Sequence, residues 1–428
     1  MSNSPLHPSA LAPAVQGLPP SATLAINERS HQLQAAGRKI YKFGLGQSPF
    51  PVPAPVVAAL RAAAPQKDYL PVRGLKPLQE AVAHYLRRQL GIERPAAQVI
   101  IGPGSKELMF ITQLAYAAEL LVPNPSWVSY VPQAKLLGRS FAWLPTQPSD
   151  DWKLRAATLD QHCAAAPVRP RLLILNYPNN PTGATYSAIE LAEIAAVARR
   201  HQVLVLSDEI YGDVDHTGQH VSIATHYPEG TIIATGLSKW CGAGGWRLGL
   251  FSLPPELEWL ASAIAAVASE TFTSVSAPVQ HAAITAFNGS PEITAYLDQS
   301  RTVLTGLGNY CAGTLRRAGA TLPTPAGGFY LFPDFSPLRA KFATRQITNS
   351  AQLTEALLND TGVATLPGSA FGRPGDELTL RLSYVNFDGA TALDAVREGA
   401  AVDVAFLRRY CADSVAAIHA MADWAARE

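Results

Sequence analysis

The sequence predicts an α/β protein with two domains, a large one built on a mostly parallel, doubly wound sheet and a smaller α+β one. From about residue 97 to 253, short β-rich runs alternate with amphipathic helical patterns, which predicts parallel strands with helices on both faces. The length of 428 residues exceeds what one hydrophobic core usually supports. The alternation then stops, and a predominantly helical pattern runs from Ala390 to the end.

The organisation along the chain is predicted in four segments. Residues 1–20, rich in Pro, Ser and Ala, are expected to be a flexible arm. Residues 21–52, which carry a helical pattern over 25–36, are expected to contribute to the small domain. The large domain is predicted over 53–305 and the small domain over 306–428.

Strands and helices of the alternating region follow from hydrophobic periodicity and turn residues. Strands are predicted at residues 99–101, 172–175, 203–207, 231–235 and 248–253, and two more in the C-terminal part at 327–332 and 379–385. Helices are predicted from Lys106 and from about 188 to 200. The second helix opens with the capping box Ser187-x-x-Glu190.

Composition excludes several classes of protein. A formal net charge of +1 gives no electrostatic basis for binding nucleic acid or an anionic membrane. The first 20 residues lack the features of a signal peptide, and no stretch has the length of a membrane span. Four scattered cysteines argue against a disulfide scaffold or a zinc site and fit a reducing compartment, so we expect a cytoplasmic protein without a bound metal.

Lys239 and Arg247 form the most informative pair of residues. Lys239 follows a predicted buried strand, and a lysine held in a dry pocket there becomes a usable nucleophile. Such lysines commonly form a Schiff base with a carbonyl cofactor. Arg247, set among glycines, is placed to hold a phosphate. Taken alone, Lys239 is better explained as a surface lysine at the start of a loop.

Three further strand ends carry polar residues, and all would meet at the same edge of the sheet. Ser105 and Lys106 open a helix after a Gly-Pro-Gly turn, where backbone N–H groups form an anion site. Asn180 is fixed between two prolines, although an ordinary turn explains it equally well. Asp208 ends an apolar strand and needs a partner such as a protonated ring nitrogen, unless it only caps a helix. Tyr211 is placed to donate to a phenolic oxygen.

The order of these segments favours one interpretation. A pyridine ring with a phosphate and a phenolic oxygen needs a phosphate turn, an asparagine, an Asp-x-x-Tyr pair, a lysine and an arginine, each at its own strand end. A dinucleotide site fails, because Gly242-x-Gly244 lacks the third glycine at position 247 and follows the lysine rather than a first strand.

This combination resembles the fold type I, class I aminotransferases that use pyridoxal 5′-phosphate, over about residues 21–400. The resemblance implies that Lys239 forms the Schiff base and shuttles a proton, and that Asp208 keeps the ring nitrogen protonated. It implies that Asn180 and Tyr211 bond the phenolic oxygen and that Trp127 stacks on the ring. The implied catalytic residues are Lys239, Asp208 and Tyr211, and the implied cofactor-binding residues are Ser105, Lys106, Trp127, Asn180, Asp208, Tyr211, Lys239, Arg247 and Tyr69.

A substrate clamp and a homodimer are implied by the same resemblance. Arg381 matches the arginine that clamps the substrate α-carboxylate, with Gly46 and Asn180 as further substrate contacts. Without the family, a surface salt bridge would explain Arg381 better. Tyr69 matches the tyrosine that reaches the phosphate of the neighbouring subunit, which implies two chains with shared active sites.

The substrates implied are an L-amino acid and a 2-oxo acid, with aspartate and glutamate types favoured. Residues 20–27 and 104–106 resemble the aspartate/prephenate aminotransferase branch, in part of which the lysine matching Lys106 contacts a distal carboxylate. Gln47-Ser48-Pro49 and Gly236 depart from the common pattern. The alternatives are a pyridoxal-phosphate-dependent C–S lyase, a transaminase of specialised metabolism, and a non-catalytic regulatory or binding protein on the same fold.

Overall fold

The computed structural model describes residues 11–18, 20–165 and 169–427. Half of the predicted arm, residues 1–10, lies outside the described residues, and Pro13–Val15 forms a 3-10 turn. The α-helices are α1 Ala22–Ala35, α2 Ala54–Ala63, α3 Lys76–Leu90, α4 Ser105–Ala115, α5 Tyr130–Leu136, α6 Ala156–Ala164, α7 Ala188–Arg200, α8 Glu258–Ser269, α9 Ala277–Asn288, α10 Pro291–Arg317, α11 Arg339–Thr344, α12 Ser350–Thr361, α13 Gly389–Arg397, α14 Val404–Tyr410 and α15 Ala412–Ala426. The strands are β1 Tyr41–Lys42, β2 Val99–Gly102, β3 Glu119–Asn124, β4 Phe141–Pro145, β5 Arg171–Asn176, β6 Leu204–Asp208, β7 Thr231–Gly236, β8 Gly249–Ser252, β9 Tyr330–Leu331, β10 Val363–Ala364, β11 Leu366–Pro367 and β12 Leu380–Ser383.

The central sheet has seven strands in the order β2-β8-β7-β6-β5-β3-β4. The strands β4, β3, β5, β6 and β7 are all parallel, while β8 runs antiparallel to both β2 and β7. The register sets Asn176 beside Asp208, and Asp208 beside Ala234 on the next strand. The predicted mostly parallel α/β sheet is confirmed, and the polar strand ends meet at one edge.

Helices cover both faces of this sheet because alternate strand residues point to opposite sides. Leu204 and Leu206 of β6 pack in one buried cluster, with side chains from α4 and α8. Val203 and Val205 belong to the cluster on the opposite face, with side chains from α6 and α7. Strands buried on both faces read as continuous apolar runs, which is why β6 and β7 are recognisable in the sequence.

The predicted capping box of α7 is confirmed. The Ser187 hydroxyl accepts a hydrogen bond from the Glu190 backbone N–H at 3.3 Å, and the Glu190 carboxylate accepts one from the Ser187 N–H at 2.8 Å. Glu190 also pairs with Lys153 at 2.6 Å. The start of α7 is therefore held by its cap and by one ion pair.

The C-terminal part contains a three-stranded antiparallel sheet in the order β11-β12-β9. The short β1 pairs in parallel with β10, so the chain near residue 41 is tied to the chain near 363. Two predicted strands are shorter than expected. The run 327–332 contributes only β9, because Gly328 has a φ of +64° and turns the chain, and the run 379–385 contributes only β12.

Two strands of the central sheet, β3 and β4, are absent from the predicted set. The first of them opens with Glu119, which is buried although it is charged. Arg169 binds this carboxylate at 2.6 Å and Arg171 lies at 3.4 Å, so the buried charge is compensated. No helix in the described part of the chain is both long and apolar enough to cross a lipid bilayer.

Candidate active site

A cavity of about 310 Å³ lies beyond the carboxyl ends of β5, β6 and β7, where ligands bind in sheets of this kind. All the predicted site residues but one line it, namely Gly46, Ser105, Lys106, Trp127, Asn180, Asp208, Tyr211, Lys239, Arg247 and Arg381. The exception is Tyr69, whose surface is 92% exposed in the single chain.

Lys239 and its hydrogen-bond partner Gly46 both line the cavity. The Lys239 Nζ donates a hydrogen bond to the Gly46 carbonyl at 2.7 Å. It also lies 5.5 Å from the ring centre of Tyr211 and 5.8 Å from that of Phe329, which suits a cation facing aromatic rings. In the part of the chain that the structure describes, no carboxylate lies within ion-pair distance of this amine.

Asp208 is buried at the end of β6 and is held by two donors. The Tyr130 hydroxyl donates to Oδ2 at 2.6 Å, and the Ile210 backbone N–H approaches Oδ1 at 3.4 Å. Burial raises the pKa of Asp208 to about 6, and the Tyr130 and Ile210 hydrogen bonds and the charge of Lys239 oppose that rise. A carboxylate in this position is stabilised by a cationic N–H group entering the cavity.

Asn176 fixes the two strand ends to each other. Its Nδ2 donates to the Asp208 backbone carbonyl at 2.8 Å, and its Oδ1 accepts from the Asn180 backbone N–H at 2.8 Å. Asn176 has no role among the sequence-based predictions. Its position as the last residue of β5, four residues before Asn180, is the signal that could have identified it.

The corner of the cavity formed by α4 and the turn before β8 has the features of an anion site. Ser105 and Lys106 begin α4, and Arg247 donates to the Pro103 carbonyl at 3.1 Å. A Cβ on Gly104 would lie 2.4 Å from Arg247 Nη2, so a glycine, here at φ +97°, is needed for this approach. Burial and then the charge of Arg247 lower the pKa of Lys106, whose Nζ lies 5.2 Å from the Trp127 ring centre. Two cationic side chains and a helix N-terminus therefore line the same cavity, which suits an anion.

Arg381 is buried on β12, in the C-terminal sheet. Its guanidinium donates to Asn180 Oδ1 at 3.3 Å and to the Gly44 carbonyl, and it lies between the rings of Tyr330 and Phe371 at 4.9 and 5.2 Å. Among the described residues, no carboxylate forms an ion pair with it and its Nε has no hydrogen-bond partner. Burial lowers the pKa of Arg381, and an anion in the cavity would offset that cost.

Two tyrosines of the site were not predicted from the sequence. Tyr130 follows Trp127 by three residues, but its bond to Asp208 spans 78 residues of chain. Tyr330 bonds the Tyr211 hydroxyl at 2.7 Å across 119 residues. Ser21, Thr23 and Leu24 at the start of α1 also line the cavity, which the resemblance at residues 20–27 could have indicated.

The chain belongs to the family described as aminotransferase class I and II, which matches residues 38–397. It is 35% identical to an aspartate aminotransferase of Geobacillus stearothermophilus over 90% of this chain and 96% of that protein. It is 32% identical to an aspartate/prephenate aminotransferase of Cereibacter sphaeroides, over 90% and 96%. Its fold matches the Thermus thermophilus aspartate aminotransferase solved with maleate, with a TM-score of 0.80 and 28% identity over 91% of this chain and 99% of that one.

The protein is therefore a fold type I aminotransferase, an enzyme that moves an amino group between an amino acid and a 2-oxo acid with pyridoxal 5′-phosphate as its cofactor. The cavity fits this group. Arg247 and the start of α4 suit its phosphate, and the buried Asp208 suits its ring nitrogen. The amine of Lys239, which has no carboxylate partner among the described residues, suits its carbonyl carbon. When bound, the protonated pyridine ring withdraws electrons from the substrate Cα and stabilises the charge left when a proton is removed there.

Proposed function

We propose that this enzyme is a dicarboxylate aminotransferase that takes aspartate or glutamate as amino donor and a 2-oxo acid such as 2-oxoglutarate as acceptor. The observation that carries amino-acid transamination is the buried Arg381 guanidinium, which lines the cavity of Lys239 without a carboxylate partner in the described chain. The preference for a second, distal carboxylate rests on Lys106, which lines the same cavity. A planar guanidinium with free donors suits the bidentate binding of an α-carboxylate.

The proposed roles of the other residues follow from their positions. Lys239 would hold the cofactor through its amine and would move the proton at the substrate Cα. Asp208 would keep the ring nitrogen protonated, while Asn180 and Tyr211 would donate to the phenolic oxygen. Trp127, which lines the cavity, would pack on the ring face.

The phosphate and the substrate carboxylate take the remaining residues. Ser105 and Arg247 would bind the phosphate. The Gly46 backbone and the Asn180 side chain, which accepts a hydrogen bond from Arg381, would support the substrate carboxylate. Lys106, which lines the cavity with its Nζ over the Trp127 ring, is proposed to bind a distal carboxylate. The similarity to aspartate aminotransferases, one of them solved with the dicarboxylate maleate, supports an acidic substrate.

The proposal includes a homodimer with shared active sites. Tyr69 is a large aromatic residue exposed over 92% of its surface in the single chain. Cover by a partner subunit would explain why so large an aromatic side chain is exposed.

The predicted domains are part of the same proposal, supported by the pairing of Tyr41 with Val363, which ties the N-terminal segment to the C-terminal unit. A cytoplasmic setting is supported by four buried cysteines, all of them free thiols.

A donor and acceptor screen on the cofactor-loaded protein tests the proposal. Wild-type protein should transaminate aspartate or glutamate, and Arg381→Lys should lower kcat/KM for every donor by about two orders of magnitude or more. Release of a thiol and pyruvate from a cysteine conjugate, without amino transfer, would instead identify a C–S lyase. Cofactor binding with no turnover of any donor would identify a regulatory protein.

A further inference from the structure

Tyr330 lines the cavity and contacts several of its residues, but none of the roles proposed above involves it. It lies on β9 of the C-terminal sheet and is 1% exposed, and its hydroxyl is 2.7 Å from the hydroxyl of Tyr211. Its ring lies 4.9 Å from the Arg381 guanidinium. A Cβ on Gly46 would lie 1.9 Å from its hydroxyl oxygen, so this side chain packs directly on the segment whose carbonyl holds Lys239.

We infer that Tyr330 is a positioning residue that orients Tyr211 as a donor into the cavity and supports Arg381 through its ring. The inference rests on the proposed role of Tyr211. Each hydroxyl carries one proton, so only one tyrosine can donate in the bond between them. If Tyr211 donates to a cofactor oxygen, its own oxygen must accept from Tyr330. Tyr330 therefore fixes both the rotamer and the donor direction of Tyr211.

Charged groups surround this pair on several sides. Asp208 on β6, Lys239 after β7 and Arg381 on β12 all line the same cavity as the two hydroxyls. Burial and the neighbouring Tyr330 raise the pKa of Tyr211, so it remains a donor at neutral pH. A hydrogen bond accepted from Tyr330 polarises the Tyr211 O–H and strengthens the bond that it donates.

The two parts of Tyr330 are separable by mutation. Tyr330→Phe removes the hydroxyl but keeps the ring under Arg381, whereas Tyr330→Leu removes both. We expect Tyr330→Phe to lower kcat roughly three- to tenfold and to leave KM for the amino donor within about twofold. We expect Tyr330→Leu to raise that KM roughly three- to thirtyfold as well, because the guanidinium loses its aromatic neighbour.

Visible absorbance of the pyridoxal-phosphate-loaded protein, followed against pH, gives a readout that is independent of turnover. A hydrogen bond donated to the phenolic oxygen of the cofactor favours the deprotonated form of the chromophore. Loss of the donor should therefore raise the pH midpoint of the absorbance change. Tyr211→Phe and Tyr330→Phe should both raise it, Tyr330→Phe by less. The double variant should match Tyr211→Phe alone, because Tyr330 acts through Tyr211.

Tyr384→Phe is the matched control. It also removes a buried hydroxyl that donates one hydrogen bond, here to the Gly328 carbonyl at 3.2 Å, and Tyr384 is not a lining residue of the cavity. This variant should leave the midpoint and kcat unchanged. A Tyr330→Phe midpoint equal to the wild-type value, additive shifts in the double variant, or an equal effect in Tyr384→Phe would overturn the inference. These outcomes leave the proposed function standing, which fails if the enzyme does not transaminate aspartate or glutamate, or does so without Lys239.

Discussion

Single residues in this cavity are held in states that are unfavourable without a ligand. Asp208 is buried beside Tyr130 and Asn176, and burial raises its pKa to about 6. Arg381 is buried without a carboxylate among the described residues. Opposite charges that line one cavity suit ligand groups of both kinds, a cationic nitrogen and an anionic carboxylate, as expected for a binding site.

The carboxylate of Asp208 should make the cofactor-free protein less stable as pH rises. Its folded pKa lies above its unfolded value, so its contribution is fully present below about pH 4 and is lost as pH rises through about 6. Asp208→Asn should therefore stabilise the cofactor-free protein by roughly 2–3 kcal/mol near pH 7.5 and by less near pH 5. Urea unfolding of both proteins at several pH values measures the difference.

Asp213→Asn is the control for this prediction. Asp213 is also a buried carboxylate whose pKa is raised by burial, but its partner is Tyr85, outside the cavity. Both variants should show the same pH trend, while only Asp208→Asn should reduce the extra stability that pyridoxal phosphate gives. A stability difference between wild type and Asp208→Asn that stays constant with pH contradicts the prediction.

Lys106 should decide the preference for acidic donors. Lys106→Met should lower kcat/KM for aspartate or glutamate by about tenfold or more, because a charged partner of the distal carboxylate is lost, and should leave alanine nearly unchanged. Lys76→Met, at an exposed lysine outside the cavity, is the control. The ratio of the two kcat/KM values is the measurement. If all donors and cofactor affinity fall together, Lys106 serves the phosphate alone.

At the scale of elements, the carboxyl ends of β5, β6 and β7 position the polar residues of the site. The apolar runs of these strands predict both the sheet and the position of Asp208 and Lys239. Each run is visible within a few consecutive residues, so a local pattern in the sequence is enough to locate the strand. The reversed direction of β8 and the buried start of β3 at Glu119 depend on distant partners, and no local pattern reports them. The same is true of Tyr330, whose partner Tyr211 lies on another part of the fold.

The turn after β5 offers a paired test of positioning against stability. Asn176→Ala removes the bonds that hold both Asp208 and Asn180, so cofactor affinity should fall about tenfold or more. Ser187→Ala, at the start of α7, should cost about 1 kcal/mol of unfolding free energy through the lost cap and leave cofactor affinity unchanged. Cofactor titration and urea unfolding of each variant separate the two effects. Equal cofactor affinity in wild type and Asn176→Ala would exclude the positioning role.

At the scale of the whole molecule, the cavity draws on both parts of the chain. Asp208 and Lys239 come from the central sheet, whereas Arg381 and Tyr330 come from the C-terminal sheet. Tyr69 is exposed in the single chain, and the proposed dimer would bring it to the site of its partner. The complete site is then a property of two chains.

Hybrid dimers test the shared site. Tyr69→Ala chains that retain Lys239, mixed with Lys239→Ala chains that retain Tyr69, should regain up to about a quarter of wild-type activity, because half of the dimers are hybrids with one complete site. Each variant assayed alone supplies the baseline. A mixture no more active than its parts, or a protein that sediments as a monomer at assay concentration, contradicts the dimer.

The central claim is that Lys239 carries the cofactor and the proton of an aminotransferase. Borohydride reduction of the loaded protein followed by peptide mass analysis tests it most directly, with Lys106→Met and Lys239→Ala treated in parallel. We expect the reduced cofactor on the peptide that contains Lys239 in wild type and Lys106→Met, and no label or transamination in Lys239→Ala. Label on another lysine, or normal transamination by Lys239→Ala, would contradict the claim.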